Sequence, residues 1–127
     1  MIADHSNIKT CVILLFHGSR LESAKKEAME LAEHVSSTLA RPVVTAFLQM
    51  AEPAIEQALK DAVVAGNIRI HLYPMFTLTG RHIEEDLPKI LSEFRSSFPR
   101  IQLHVEPHLG ADPAFQHWLC ERLSHGF

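Results

Sequence analysis

Cysteine is scarce in this chain: Cys11 and Cys120 are the only two in 127 residues. They lie far apart with no CxxC, which excludes a disulfide scaffold or a cysteine-rich zinc knuckle and makes a reducing, cytoplasmic setting the default. Long apolar runs are missing as well. The longest, residues 12–16, falls far short of the roughly 20 residues that cross a bilayer, so no membrane span is expected. The first ten residues show no positive stretch leading into an apolar one, so no signal peptide is expected. Basic excess is absent too: 12 Lys and Arg stand against 15 Asp and Glu, for a net charge of −3. That argues against a general nucleic-acid binder. No linker, repeat or low-complexity segment breaks the sequence, so residues 1–127 read as one domain. With 46% apolar and 21% charged residues, it is the composition of a soluble globular fold rather than a disordered chain. Histidine alone is in excess, with nine. Nine histidines invite a metal, and they also make accidental clusters common, so position has to decide.

Four short apolar runs alternate with four longer amphipathic ones. Residues 12–16 form a continuous β-branched and aromatic run, as expected of a strand buried on both faces. Over residues 23–39, Ala24, Ala28, Leu31, Val35 and Leu39 trace one helical face. Residues 43–48 read as a second strand after Pro42. Pro53 suits the first position of the next helix, where its missing N–H costs nothing. Ile55, Leu59, Ala62 and Val63 give that helix its inward face, and Gly66 stops it. A third strand spans residues 68–73. Residues 79–98 then predict a short helical turn through Glu85, followed by a helix with Pro88 in its first turn and Ile90, Leu91, Phe94 and Phe98 inward. Ile101, Leu103 and Val105 alternate as a fourth strand. Asp112 and Pro113 open a last helix as N-cap and first-turn proline, carrying Phe115, Leu119 and Leu123. This βαβαβαβα order predicts a three-layer α/β fold, a four-stranded parallel sheet with helices on both faces. Four strands are few, so a partner chain is expected against one edge.

In open α/β sheets, ligands bind beyond the carboxyl ends of the strands, where the strand order reverses. Every predicted strand ends in polar residues: His17-Gly18-Ser19-Arg20 after the first, Gln49 and Glu52 after the second, Thr79-Gly80-Arg81-His82 after the third, and Glu106-Pro107-His108 after the fourth. With strand order 2-1-3-4, the reversal falls between strands one and three, and His17 and His82 face each other across one crevice. The remaining histidines have simpler readings. His5 and His125 are tail residues, His34 is solvated, His71 is packed or paired within its strand, and His104 points outward to the surface. His117 has no assigned role, and His108 sits at the rim without a partner. Glu52 and Glu56 share a helix face at i, i+4, where Glu56 reads as a solvated start complementing the macrodipole. Glu84, Glu85 and Asp86 read likewise, with Asp86 free to orient the loop through backbone hydrogen bonds.

Four segments carry a resemblance: His17-Gly18-Ser19-Arg20; Ala46-Phe47-Leu48-Gln49-Met50-Ala51-Glu52-Pro53; Pro74-Met75-Phe76 through Gly80-Arg81-His82-Ile83-Glu84-Glu85-Asp86-Leu87-Pro88; and Pro107-His108-Leu109-Gly110. In this order and spacing the chain resembles the small, single-domain CbiX-type chelatases, similar in fold to ferrochelatases, which insert a divalent metal into sirohydrochlorin. The long third segment is the most specific. The resemblance implies that His17 and His82 bind the incoming metal and help remove pyrrole protons. It also implies a homodimer enclosing the tetrapyrrole, a route to cobalamin or siroheme, and no permanently bound cofactor, since Co²⁺, Fe²⁺ or Ni²⁺ is a substrate. The family often has a glutamate where this chain has Gln49. An amide offers a neutral oxygen but neither charge nor proton acceptance, so Gln49 is a weak ligand here, with Glu52 as a second weak candidate.

The residue types suit that chemistry. Imidazole suits these metals, and an incomplete shell lets the metal leave for the macrocycle. Neutral histidine is a natural acceptor for pyrrole protons, so activity should fall as pH drops through about 6.5, where free histidine protonates. The substrate bears eight carboxylates while the protein is slightly acidic, so local donors are needed: Ser19, Arg20, Arg81 and backbone N–H groups at the rim. Within the same resemblance, Gln49 also admits a protein that binds metal or tetrapyrrole without inserting one into the other. Other classes fail on missing residues. GxxxxGK[ST], GxGxxG and GxSxG are all absent. A histidine phosphatase would need arginine where Phe16 stands, and a response regulator would need a phosphorylatable aspartate where Tyr73 and Pro74 stand.

Overall fold

The computed structural model describes residues 8–126; the stretch read as free of a signal peptide and His5 lie largely or wholly outside that range. Four strands, β1 (Thr10–Phe16), β2 (Val43–Phe47), β3 (Arg69–Pro74) and β4 (Gln102–Val105), form one sheet in the order β2-β1-β3-β4. All three pairings are parallel. The helices are α1 (Glu22–Leu39), α2 (Ile55–Val64), α3 (Leu87–Ser97) and α4 (Pro113–Ser124). Strand order therefore reverses between β1 and β3, as the sequence pattern predicts. Among the described residues no helix is long and apolar enough to cross a membrane.

The main core lies between the sheet and α2 and α3. Alternate strand residues Cys11, Ile13, Leu15, Ile70 and Leu72 meet Ile55, Leu59 and Ala62 of α2 and Leu87, Leu91 and Phe94 of α3. Burial pushes the Cys11 thiol above its usual range, so it behaves there as a small apolar group. Ile13, Leu15, Ile55, Leu59, Ile70 and Leu72 are fully buried, each stabilising the fold by about 1.5–3 kcal/mol. On the opposite face a smaller cluster joins Leu14, Val43 and Ala32, with Val12 and Val35 against it. Here the expected α1 face is corrected: Ala28 and Ala32 are buried, while Leu31 and Leu39 are 38% and 52% exposed. The stripe follows the small residues, which let the helix lie close to β2, and the leucines fall on its flanks.

Two further expectations change. Pro53 does not open α2; it sits two residues before the helix, after a cis Glu52-Pro53 peptide. Its carbonyl accepts the Phe47 N–H at 2.9 Å, so it ends the β2 loop rather than starting the helix. The last helix forms where predicted, with the Asp112 carboxylate accepting the Ala114 N–H at 2.8 Å as N-cap, but none of its residues is buried. Trp118 is 53% exposed and Leu123 49%. The Tyr73 hydroxyl donates to Asp112 and ties the start of α4 to β3.

Candidate metal centre

Backbone packing at the ends of β1 and β2 places the first half of the site. Beyond its last paired residues the β2 chain stays alongside β1: Leu48 N–H donates to the Phe16 carbonyl at 3.0 Å and Gln49 N–H to the His17 carbonyl at 3.2 Å. This close run needs Gly18. Its φ is +113°, and a Cβ there would stand 1.7 Å from the Gln49 carbonyl oxygen. Only a residue without a side chain lets the two chains meet, and the meeting sets Gln49 against His17. Their side chains touch, with the Gln49 amide nitrogen 3.2 Å from His17 Nε2. An amide N–H can donate there only to a ring lone pair, so the contact belongs to the neutral imidazole with its proton on Nδ1. The next residue, Met50, takes a left-handed φ of 64°, a local strain of the kind found beside functional sites.

The second half comes from the segment after β3. Residues His82–Asp86 form one π-helical turn running directly into α3, with Pro88 in the first turn of that helix. This turn places the Asp86 carboxylate 2.7 Å from His82 Nδ1. In the neutral ring this contact holds the proton on Nδ1 and leaves the lone pair on Nε2, as in carboxylate–histidine pairs behind metals. The two imidazoles meet across the strand-order reversal, their centroids 6.4 Å apart and planes inclined at 56°. The Phe76 ring stands edge-on to His17 at 6.2 Å. A second close backbone approach braces the rim, since Gly110 N–H donates to the Phe76 carbonyl and a Cβ on Gly110 would meet the Thr77 carbonyl oxygen at 1.7 Å.

A cavity of about 450 Å³ opens beside this pair, lined by Gln49, Glu56, His82, Asp86, Lys89 and Glu93 among others. His17 is outside that lining and stands next to it, against Gln49 and His82. The structure thus gathers His17, His82 and Gln49 and leaves other named residues apart. Glu52 is exposed and outside the cavity lining, because the turn at Pro53 carries it away. Ser19 Oγ accepts the Leu21 N–H at 3.1 Å, which still leaves its O–H to donate. Arg20 is exposed, and Arg81, 86% exposed, lies 4.0 Å from Glu85. His108 is half-buried in the loop before the turn Leu109–Ala111. Glu56 stands exposed in the first turn of α2, as expected, and also lines the cavity, while Asp86 goes beyond complementing the dipole and grips His82 through its side chain. The i, i+4 spacing of His82 and Asp86 was the available signal.

A parallel α/β sheet with two imidazoles facing each other over its carboxyl edge, at the strand-order reversal, defines an open-sheet protein with a histidine-lined ligand crevice. Comparison narrows the class. The chain belongs to the CbiX family, whose sequence model matches residues 11–126. It is 27% identical over 114 residues to a sirohydrochlorin ferrochelatase of Priestia megaterium, covering 89% of this chain and 43% of that protein. It is 25% identical over 122 residues to a sirohydrochlorin cobaltochelatase of Saccharolobus solfataricus, covering 91% and 94%. Among solved structures it matches the sirohydrochlorin chelatase SirB of Bacillus subtilis in complex with cobalt, with TM-score 0.75 and 27% identity over 93% of this chain and 51% of that one. A CbiX protein from Marinobacter aquaeolei shares the fold with TM-score 0.75 at 20% identity, covering 92% and 96%. The chain spans about half the length of the ferrochelatases from P. megaterium and B. subtilis.

Proposed function

We propose that this protein inserts a divalent metal, Co²⁺ or Fe²⁺, into sirohydrochlorin, with His17 and His82 as the residues that hold the metal and receive the pyrrole protons. The observation carrying this reading is the pair itself: two imidazoles with centroids 6.4 Å apart, one oriented by Asp86, at the ligand-binding edge of a CbiX-family sheet. The His82 Nε2 lone pair is available at once. His17 Nε2 becomes available when the Gln49 amide turns over, and that rotation exchanges its nitrogen for its oxygen. Gln49 thereby changes from a donor to His17 into a neutral third ligand. Two nitrogens and an amide oxygen bind first-row divalent ions without enclosing them, so the metal is held and then surrendered to four ring nitrogens. The two protons displaced from the ring pass to neutral imidazole, the one side chain whose unperturbed pKa suits that exchange near neutrality.

Ser19, Arg20 and Arg81 stand at the same rim as donors to the substrate's carboxylates. A crevice of about 450 Å³ holds only part of so large a macrocycle, and a second copy of the chain supplies the rest. The apolar residues left open on α4, Trp118, Leu119 and Leu123, offer such a copy a surface. Two free thiols, Cys11 and Cys120, suit a reducing cytoplasm.

The test follows sirohydrochlorin absorbance with Co²⁺ or Fe²⁺, with and without protein. Insertion well above the uncatalysed rate is expected, lost in His17→Ala and His82→Ala. A rate unchanged by the protein favours the second reading that Gln49 supports, a metal- or tetrapyrrole-binding protein without insertase activity. Gln49→Glu separates the two further, because a carboxylate there restores charge beside His17 and should raise metal affinity.

A further inference from the structure

A second group of metal-ligating side chains lies on the sheet itself, away from the crevice. His71 of β3 and His104 of β4 are register partners in the parallel ladder. Glu106 lies two residues beyond His104 and so turns to the same face. The three converge. Glu106 Oε2 is 2.9 Å from His104 Nε2 and 3.8 Å from His71 Nδ1, and the two rings are 4.9 Å apart between centroids. One donor atom from each residue lies within 4.8 Å of the other two. Around a tetrahedral ion with bonds near 2.0–2.1 Å, ligand atoms stand about 3.3 Å apart, so small side-chain rotations complete the set. His71 pairs in register with Val12 of β1, five residues before His17. At about 3.3 Å per residue this sets the group about 16 Å down the strand from the crevice.

We propose that His71, His104 and Glu106 form a second, independent site for a divalent transition-metal ion. Two imidazole nitrogens and one carboxylate oxygen select Zn²⁺, Co²⁺ or Ni²⁺ over Mg²⁺ and Ca²⁺, which prefer all-oxygen shells. Three protein ligands leave a fourth position to water. Access is open, since the His71, His104 and Glu106 side chains are 38%, 57% and 33% exposed. The arrangement also has a built-in order. His104 and Glu106 are already in contact, and the backbone holds Glu106 in place through its N–H to the Leu72 carbonyl at 2.9 Å. Entry of the ion replaces the imidazole–carboxylate contact with two bonds to metal and draws His71 in from its strand.

The experiment is a Co²⁺ titration of the full chain carrying His17→Ala and His82→Ala, followed by calorimetry and by the visible absorption of bound Co²⁺. The expected result is one Co²⁺ per chain with an imidazole-type spectrum, unaffected by excess Mg²⁺. Affinity should fall at least about tenfold in His104→Ala and in Glu106→Gln, the second of which keeps the side-chain shape. No uptake in the crevice-less chain, or uptake indifferent to His104 and Glu106, overturns the site and leaves the three as a hydrogen-bonded surface cluster. Because the readout is metal uptake and not insertion, failure of the chelatase reading would leave this result standing on its own.

Discussion

The two faces of the sheet are finished differently. One is covered by α2 and α3, and its residues on the central strands β1 and β3 are apolar and closed to water, while Val44, Leu103 and Val105 on the edge strands stay partly open. The other is covered by α1, packed chiefly against β2, and where β3 and β4 turn to that side they present His71, His104 and Tyr73. Burial alternates along a single strand: Ile70 and Leu72 are 0% exposed, while their neighbours His71 and Tyr73 are half-open. The larger share of the buried core therefore lies on one face, while the other carries the smaller cluster around Leu14, Ala32 and Val43 and, on β3 and β4, open polar side chains. Truncation on each face of β3 should show this most strongly. Leu72→Ala is expected to cost about 2–5 kcal/mol in urea unfolding, and His71→Ala under about 1 kcal/mol. Equal losses would mean the faces are not divided in this way.

The edge differs from both faces in depending on backbone fit. Gly18→Ala forces a side chain into left-handed φ, costing about 1–2 kcal/mol, and drives a Cβ into the Gln49 carbonyl. The expected outcome is lower stability together with a Gln49 no longer seated on His17, seen as weakened Co²⁺ binding. A stable variant with unchanged Co²⁺ affinity would show that the crevice does not need this approach. Asp86→Asn is a gentler change. It removes the charge behind His82 without changing shape, and insertion is expected to fall about 10–100-fold, with stability unmoved because both side chains are more than half exposed. Full activity would reduce Asp86 to a dipole complement of its turn.

On the open face, Tyr73 is the only tyrosine in the chain. Burial, then the hydrogen bond to Asp112, then the negative charges of Asp112 and Glu106 push its phenol up to about 12. A raised pKa means the fold favours the protonated form, so the stabilisation is full below the ordinary value near 10 and is lost as pH climbs through about 12. The same hydrogen bond, with that from the Ala114 N–H, holds the Asp112 carboxyl below its usual range. That contribution is present at neutral pH and lost in acid. Alkaline titration of phenolate absorbance should thus show a late midpoint that moves down in Asp112→Ala, though not fully to the ordinary value, since burial is the larger cause. A native midpoint near 10 would remove the tie between β3 and α4.

The fold was readable because its signals are local. Apolar runs at residues 12–16 and 68–73, the Pro88 first turn and the Asp112 N-cap each lie within a few residues of what they determine. The strand-end rule places His17 and His82 at one crevice from sequence order alone, and their rings do meet there. What escaped the sequence depends on contacts between segments. The meeting of His71 with His104 follows from the register of β3 on β4, which no spacing in either strand encodes. The grip of Asp86 on His82 was hidden by a second plausible role for an acidic first turn. Leu31 and Leu39 misled because larger side chains outweigh alanine in any apolar count, although closeness to β2 favours alanine. The apolar residues of α4, Trp118, Leu119 and Leu123, stay exposed in the described chain.

The central claim is that His17 and His82 share one metal ion. A double-mutant cycle on Co²⁺ affinity tests it most directly, run in a His104→Ala background so that only the crevice reports. If the pair grips one ion, His17→Ala and His82→Ala will each weaken binding about as much as both together. Losses that simply add, or a His82→Ala chain that binds Co²⁺ as tightly as its parent, would contradict a shared site.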